Sequence, residues 1–486
     1  MNAYLILVAL LVLTYAGSAL FRGRRIRGYG LPSGAEYLVL GIVVGPIGLA
    51  AVTRSTLGSF EPLSVTAISW LSLLAGANLG FSGDRSVAKR RTAGGIALGM
   101  LCLVGSGAAV FLAAPSLIGI TGEERIYLAL GVGCVCCETT RAAVRWVTER
   151  YGARGPLADL MHDMAEADDA VPFLGIAVLF AIGPRPEGAV IALPSWVGLI
   201  VTLALGGVLG ATASALVDVE KRRTERWGIL LGTALLNIGV AMRLGLSAPS
   251  SMFAMGIALN VFSRHGQQLR TMLATTERPI TMPALVLAGA NLDLSDGSSM
   301  WALVAIAVLA RVLAKGLGGI AVGQMSPAGA KSSPLLGLGM LSSGSLTACV
   351  GLATALRFPG PVGRAVLGTS IASAILGEII GPAMLRRELG FAGEIQDGAS
   401  KTPVPESHVL AAASAVARRG RGGILAARAR SRTNMPKGDL RTSDPRASDH
   451  RLSDPRTSDA RASDPRRSDP RAGVDASDDG REGSST

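Results

Sequence analysis

Long apolar stretches separated by short polar loops recur along most of this 486-residue chain. About 18 consecutive apolar residues suffice for a helix that crosses a bilayer, so the pattern predicts about thirteen transmembrane helices. The chain also contains 62 glycines, and small residues let helices pack closely in lipid. The sequence therefore predicts an all-α polytopic membrane protein. The expected spans are 2–21, 34–53, 64–81, 93–115, 125–143, 157–183, 189–216, 227–246, 250–263, 279–294, 299–323, 334–356 and 362–385.

Basic residues cluster in every second loop of this arrangement. By the positive-inside rule the clustered loops face the cytoplasm, which places the N-terminus outside and the C-terminus in the cytoplasm. This topology explains the net charge of +12, so no nucleic-acid partner is expected. The cytoplasmic basic residues lie at 22–27, 85–91, 145–154, 221–226, 264–278, 331 and 386–387.

Composition divides the chain into three parts. Residues 1–30 form an extra N-terminal helix and a basic loop, and no basic residue precedes this helix, unlike in a secretory signal. Residues 31–390 form the transmembrane domain. Residues 391–486 are polar, with a basic segment and Arg-x-Ser-Asp-Pro repeats from Arg441, and such sequence is expected to be disordered. The basic segment either lies against anionic lipid or only keeps the tail soluble.

Two adjacent acids, Asp168 and Asp169, interrupt the apolar span 157–183, and Glu166 precedes them. Carboxylates at membrane depth are costly and usually mark an ion or proton path. Adjacent helical residues point about 100° apart, so one acid can face an ion cavity while the other faces a neighbouring helix. The two acids are expected to titrate as a pair and to exchange a proton for a cation. The alternative is a structural ion pair.

Polar residues also interrupt two other spans. Glu138, Thr139, Thr140 and Arg141 follow the apolar part of the fifth span, and residues 337–345 are rich in Gly and Ser. Two such interruptions predict an inverted repeat with two crossing broken helices and a site at the membrane midplane. Unwound backbone and hydroxyls suit hard cations, which makes Thr139 and Thr140 candidate ligands. The alternatives are an ordinary helix end at the interface and a serine-rich packing face.

The eleventh span contains two cations one turn apart, Arg311 and Lys315. A buried cation needs a counter-charge, and the pair Asp168 and Asp169 is the closest chemical match. Lys315 could instead extend to the cytoplasmic surface. Glu378, in the last span, could brace Arg311 or another base.

The cysteines favour packing over chemistry. All of them lie in apolar segments, which argues against a disulfide framework, and metal binding by residues 134–137 is the alternative. The chain has no His-Glu-x-x-His motif, so neither an enzyme nor a cofactor is expected. The cysteines are Cys102, Cys134, Cys136, Cys137 and Cys349.

Over residues 30–390 the chain resembles the monovalent cation/proton antiporter superfamily. The matching motifs are the glycine-rich helix 41–48, the broken-helix motif 139–144, Asp168-Asp169, and the buried-lysine segment 314–318. The resemblance implies that Asp169 is the principal sodium and proton carboxylate, and that Asp168 exchanges a salt bridge with Lys315. It also implies a homodimer in which a mobile core half moves beside a dimerisation half.

This resemblance implies sodium/proton exchange across a bacterial inner membrane by alternating access. Potassium/proton exchange is the alternative, because the sequence does not decide the ion. The chain departs from the family at Thr140, where some members have Asp, and at Arg141, where others have Pro. The fixed cation Arg141 beside the site leaves open an alternative of another class, a non-transporting sensor or scaffold that acts through the tail.

Overall fold

The computed structural model describes residues 33–395, apart from 80–84, 187, 192, 294, 296 and 326–335, and also residue 12. Almost all of the predicted first span, Lys331, and the tail with its basic segment and repeats lie outside the described residues. The described residues form helices and no strands, which confirms the all-α prediction.

The helices are numbered here in chain order. They are α1 (Ala35–Val44), α2 (Arg54–Ser59), α3 (Glu61–Asn78), α4 (Arg85–Ile118), α5 (Gly122–Cys137), α6 (Arg141–Arg150), α7 (Pro156–Ala167), α8 (Ala170–Ile182), α9 (Ser195–Val219), α10 (Arg223–Arg243), α11 (Ala248–Phe262), α12 (Gly266–Ala290), α13 (Ser298–Met325), α14 (Leu336–Gly339), α15 (Ser345–Arg357) and α16 (Pro361–Phe391).

Several of these helices are long and apolar enough to cross a membrane. Helices α1, α11 and α15 are also apolar but shorter. The multi-pass character of the chain is therefore clear, whereas the total of about thirteen spans stays a prediction. The long apolar segments among the described residues are Arg91–Ile118, Gly122–Arg150, Ser195–Val219, Ser298–Gln324 and Pro361–Phe391.

Two predicted boundaries were wrong. The span 157–183 is two helices, α7 and α8, which are separated by one turn at Asp168 and Asp169. The predicted cytoplasmic loop 264–278 is helical from Gly266 onward and belongs to α12. The loop prediction failed because this segment is polar on average, yet it buries Leu269, Met272 and Leu273 on one face.

Glycines bring helix backbones into close contact on one side of the bundle, where α11 packs against α3 and α9. A Cβ atom on Gly76 would lie 2.1 Å from the Phe253 carbonyl oxygen, and one on Gly206 would lie 1.9 Å from the Ser251 carbonyl oxygen. Only glycine permits these approaches, as expected where lipid provides no hydrophobic drive for helix association.

Two helices are broken, and their breaks meet. Residues 138–140 separate α5 from α6, and residues 340–344 separate α14 from α15. The Thr140 amide donates a hydrogen bond to the Ser342 carbonyl at 2.9 Å, and the Thr139 hydroxyl donates one to the Met340 carbonyl at 3.0 Å. The crossing of two broken helices predicted from sequence is confirmed.

Candidate functional site

The break between α5 and α6 holds a buried ion pair between Asp168 and Lys315. The Lys315 ammonium lies 3.0 Å from Asp168 Oδ2, and both side chains are 0% exposed. It also donates to the Cys137 carbonyl and to the Thr139 hydroxyl, each at 2.7 Å. An ammonium has three protons to donate, so these acceptors satisfy it completely. Lys315 therefore does not extend to the cytoplasmic surface.

The environment of this pair explains why both charges are tolerated. The Cys137 carbonyl ends α5, and the negative end of a helix dipole favours a cation such as the Lys315 ammonium. The Thr139 amide donates to the second oxygen of Asp168 at 3.2 Å. A buried ion pair is stable only when its remaining polar atoms are also paired, and this one meets that condition.

Asp169 has a different partner. Arg141, the first residue of α6, places its Nε atom 3.1 Å from Asp169 Oδ2. The Asp169 side chain is 1% exposed, whereas that of Arg141 is 17% exposed. Within the described part of the chain neither Asp169 oxygen accepts a hydrogen bond. A buried carboxylate without hydrogen bonds is costly, so it can be stabilised by a proton or a bound cation.

Arg311 does not pair with the two aspartates, contrary to the sequence expectation. Its guanidinium donates to the carbonyls of Glu138 at 2.8 Å and Leu341 at 3.1 Å, and more weakly to that of Val135 at 3.5 Å. Among the described residues it forms no salt bridge. Broken helices leave carbonyls without intrahelical partners, and a guanidinium has enough donors to satisfy several of them.

Glu138 is buried and contacts the other broken helix. Its carboxylate accepts a hydrogen bond from the Gly344 amide at 3.2 Å and another from the Thr347 hydroxyl. These atoms lie at the N-terminus of α15, where the helix dipole stabilises an anion. The alternative interpretation of 138–141 as an ordinary helix end at the interface is therefore wrong.

Of the remaining predicted residues, Glu378 and Glu166 lie at the margins of the site, whereas Thr140 lies at the break. Glu378 does not brace Arg311, because its carboxylate accepts from both the amide, at 2.7 Å, and the hydroxyl of Ser33. Glu166 is partly buried on α7 and lies within electrostatic range of Arg141. Thr140 is buried at the break. The Thr140 hydroxyl lies in the space that a Cβ atom on Gly344 would occupy.

Sequence reasoning missed several groups of the site because they are backbone atoms. The carbonyls of Cys137, Met340, Leu341 and Ser342 carry no signal in a sequence, and only the helix breaks indicated that such groups would be available. Ser33 also had no distinguishing pattern. The five cysteines are buried and unpaired. The described residues contain no group of three or more His, Cys, Asp or Glu side chains arranged to hold a metal ion.

The fold resembles that of a sodium proton antiporter, MjNhaP1 from Methanocaldococcus jannaschii. Its structure at pH 8 matches with a TM-score of 0.58 and 17% identity, covering 80% of this chain and 99% of that one. A second structure of MjNhaP1, from electron microscopy, matches with a TM-score of 0.58 and 18% identity over 83% of this chain and 100% of that one.

Sequence comparison supplies the family. No curated protein matches the chain by sequence. The sequence model of the family described as "Sodium/hydrogen exchanger, transmembrane" matches residues 7–387, which is most of the chain. A match of this extent agrees with the all-helical fold and the crossing of the broken helices. The chain belongs to the sodium/hydrogen exchanger family of multi-pass membrane cation/proton antiporters.

Proposed function

We propose that this protein exchanges sodium for protons by alternating access, with Asp169 as the carboxylate that carries either ion. One observation carries the proposal: Asp169 is buried beside the bonded pair of Asp168 and Lys315, yet no hydrogen bond from the described residues reaches it. Among the buried acids described at the site, Asp169 is the one whose charge is least compensated by hydrogen bonds.

Competition between sodium and a proton for the Asp169 carboxylate couples the movement of the two ions. A buried carboxylate must be neutralised, and a proton and a metal cation cannot occupy the same oxygens together. Binding of sodium to Asp169 on one side of the membrane therefore releases a proton, and protonation on the other side releases sodium. Asp168 stays compensated by Lys315 meanwhile, which limits the exchangeable charge to one acid.

Oxygen atoms at the break are proposed to complete the cation site. Sodium is a hard cation and prefers oxygen ligands. The Thr140 hydroxyl lies at the crossing, whereas the Thr139 hydroxyl is already shared between Lys315 and the Met340 carbonyl. Thr140 is therefore the better candidate of the two, and Thr139 would contribute only after Lys315 releases it.

The pattern of loop charges and the family support a proposal for the domains, the membrane topology and the assembly of the protein. We assign residues 31–390 to the antiporter domain, residues 1–30 to an additional transmembrane helix and basic loop, and residues 391–486 to a cytoplasmic tail. The loop charges support an outside N-terminus and a cytoplasmic C-terminus. We further propose that the protein forms a homodimer in the lipid bilayer of a bacterial inner membrane.

The decisive experiment is exchange in proteoliposomes that contain the full-length protein. A sodium jump should drive proton movement. Asp169→Asn should abolish this movement, because an amide does not titrate and offers no negative charge to a cation. Asp163→Asn is the matched control: this acid precedes the pair on α7, is partly exposed and pairs with Arg91 at 3.0 Å, and its loss should leave exchange intact.

Parallel jumps of lithium, sodium and potassium identify the ion. A larger response to potassium than to sodium would replace the sodium proposal by potassium/proton exchange. If no alkali cation moves protons through intact protein, or if Asp169→Asn exchanges normally, the proposed function is wrong. The first of these results would favour the scaffold alternative, which predicts no exchange at all.

A further inference from the structure

Arg141 occupies a position that is electrostatically unfavourable for a cation. It is the first residue of α6, where unpaired amide groups give the helix a partial positive charge. Its side chain is mostly buried, at 17% exposure. A cation at this place needs a compensating anion, and the nearest one is Asp169 at 3.1 Å.

Other acids surround Arg141. Glu166, Glu277 and Glu138 also lie within electrostatic range of its guanidinium. Glu138 is fixed by its bonds to the N-terminus of α15, but Glu166 is only partly buried and Glu277 is exposed. The Arg141 side chain can therefore leave Asp169 and remain near negative charge on the more exposed side of the site.

A guanidinium keeps its proton in proteins, because its pKa lies far above neutral pH. Deprotonation therefore cannot free Asp169 from Arg141. Protonation of Asp169 itself ends the charge contact, but a metal cation can reach the ionised carboxylate only if the Arg141 side chain moves away.

We propose that Arg141 is a tethered competitor of the transported cation: its guanidinium occupies Asp169 in the empty carrier and moves toward Glu166 and Glu277 when a cation binds. This inference rests on the proposed function. Arg141 thereby sets the apparent affinity of the site, and it keeps the buried carboxylate compensated while no cation is present.

Removal of the competitor should strengthen cation binding. For Arg141→Gln the sodium concentration at half-maximal exchange should fall about tenfold, which corresponds to about 1.4 kcal/mol of lost competition at Asp169. The maximal exchange rate should be retained. The matched control is Arg145→Gln, one turn later on the same helix and exposed, which should leave this concentration unchanged. A merely structural role of Arg141 would lower the maximal rate instead.

Free guanidinium provides a readout specific to this contact. In Arg141→Ala, guanidinium chloride should inhibit exchange in competition with sodium, because it refills the vacated position. The intact protein and Arg145→Ala should be inhibited at least tenfold more weakly, since the tethered group is already present. Equal sensitivity of all three proteins, or an unchanged sodium dependence of Arg141→Gln, would overturn the inference while leaving sodium/proton exchange in place.

A binding measurement tests the role of Arg141 independently of the proposed sodium/proton exchange. In detergent, sodium should raise the melting temperature of Arg141→Gln at lower concentrations than that of the intact protein, whether or not transport occurs. If the neutral variants do not fold, Arg141→Lys serves instead, because its ammonium lacks the planar guanidinium and should compete less well. An unchanged sodium dependence in that variant would also contradict the inference.

Discussion

At the scale of single residues, the two aspartates are neutralised in chemically different ways. Lys315 is fully buried and has three hydrogen-bond acceptors, one of which is Asp168. Arg141 makes one close charge contact with Asp169 and stays partly exposed. The first arrangement resists rearrangement because several bonds must break together, whereas the second can exchange its partner at lower cost.

Lys315→Met should destabilise the protein strongly. It leaves Asp168 buried without its cation, and breaking one partner of a buried pair costs about 3–5 kcal/mol. Thermal unfolding of the purified protein in detergent measures the change. The double variant Lys315→Met with Asp168→Asn should recover much of this loss, because it removes both charges. A double variant as unstable as the sum of both single variants would show that the two residues do not interact.

At the scale of helices, α7 depends on a residue that lies far from it in sequence. Its N-cap, Gly155, has no side chain to cap the helix, and Glu394 does so instead by accepting from the amides of Leu157 and Ala158 at 2.8 Å each. No sequence pattern predicted this contact, because it joins a loop after the last helix to the start of the helix that precedes the aspartates.

Glu394→Ala should lower the free energy of unfolding by about 1 kcal/mol, the usual effect of losing an N-cap. Because α7 ends directly before Asp168, the same variant should also reduce exchange at unchanged protein amount. Glu149→Ala, an exposed acid on α6, is the control. Thermal unfolding and proteoliposome exchange test both effects, and wild-type stability in Glu394→Ala would contradict the capping role.

Adjacent glycines on α9 provide a matched test of helix packing. Gly206→Ala would place a Cβ atom 1.9 Å from the Ser251 carbonyl oxygen, whereas Gly207→Ala would meet nothing within 4 Å. The first variant should lose about 1–3 kcal/mol through overpacking, and the second should be neutral or slightly stabilising. Melting temperatures in detergent that shift equally would contradict the close approach of α9 and α11.

At the scale of the whole molecule, the sequence predicted what depends on hydrophobicity and on rare buried charges. It indicated the helical class, both helix breaks, and the aspartate pair as a counter-charge for a buried cation, whereas the specific pairing of Asp168 with Lys315 was implied by the family resemblance. It did not indicate that Arg311 binds carbonyls or that Glu378 binds Ser33, since those partners depend on which backbone atoms face each other after folding. The helical segment from Gly266 was missed because burial of one face overrides a polar average.

Removal of residues 396–486 should leave cation/proton exchange unchanged, since every group proposed for the site lies before Ile395. Truncation should not begin earlier, because Glu394 caps α7. Exchange in proteoliposomes at matched protein amounts measures the effect. Lost exchange would show that the tail is part of the transport machinery, and it would revive the idea that the chain acts mainly through its tail.

Arg311 has a mechanical consequence for the whole transporter. One guanidinium binds carbonyls from both helix breaks, at Glu138 and Leu341, although these lie far apart in sequence. Rewinding or shifting one break alone would sacrifice these bonds and leave buried carbonyls unpaired. Arg311 therefore couples the two breaks, and the alternating access proposed above would have to move both breaks together.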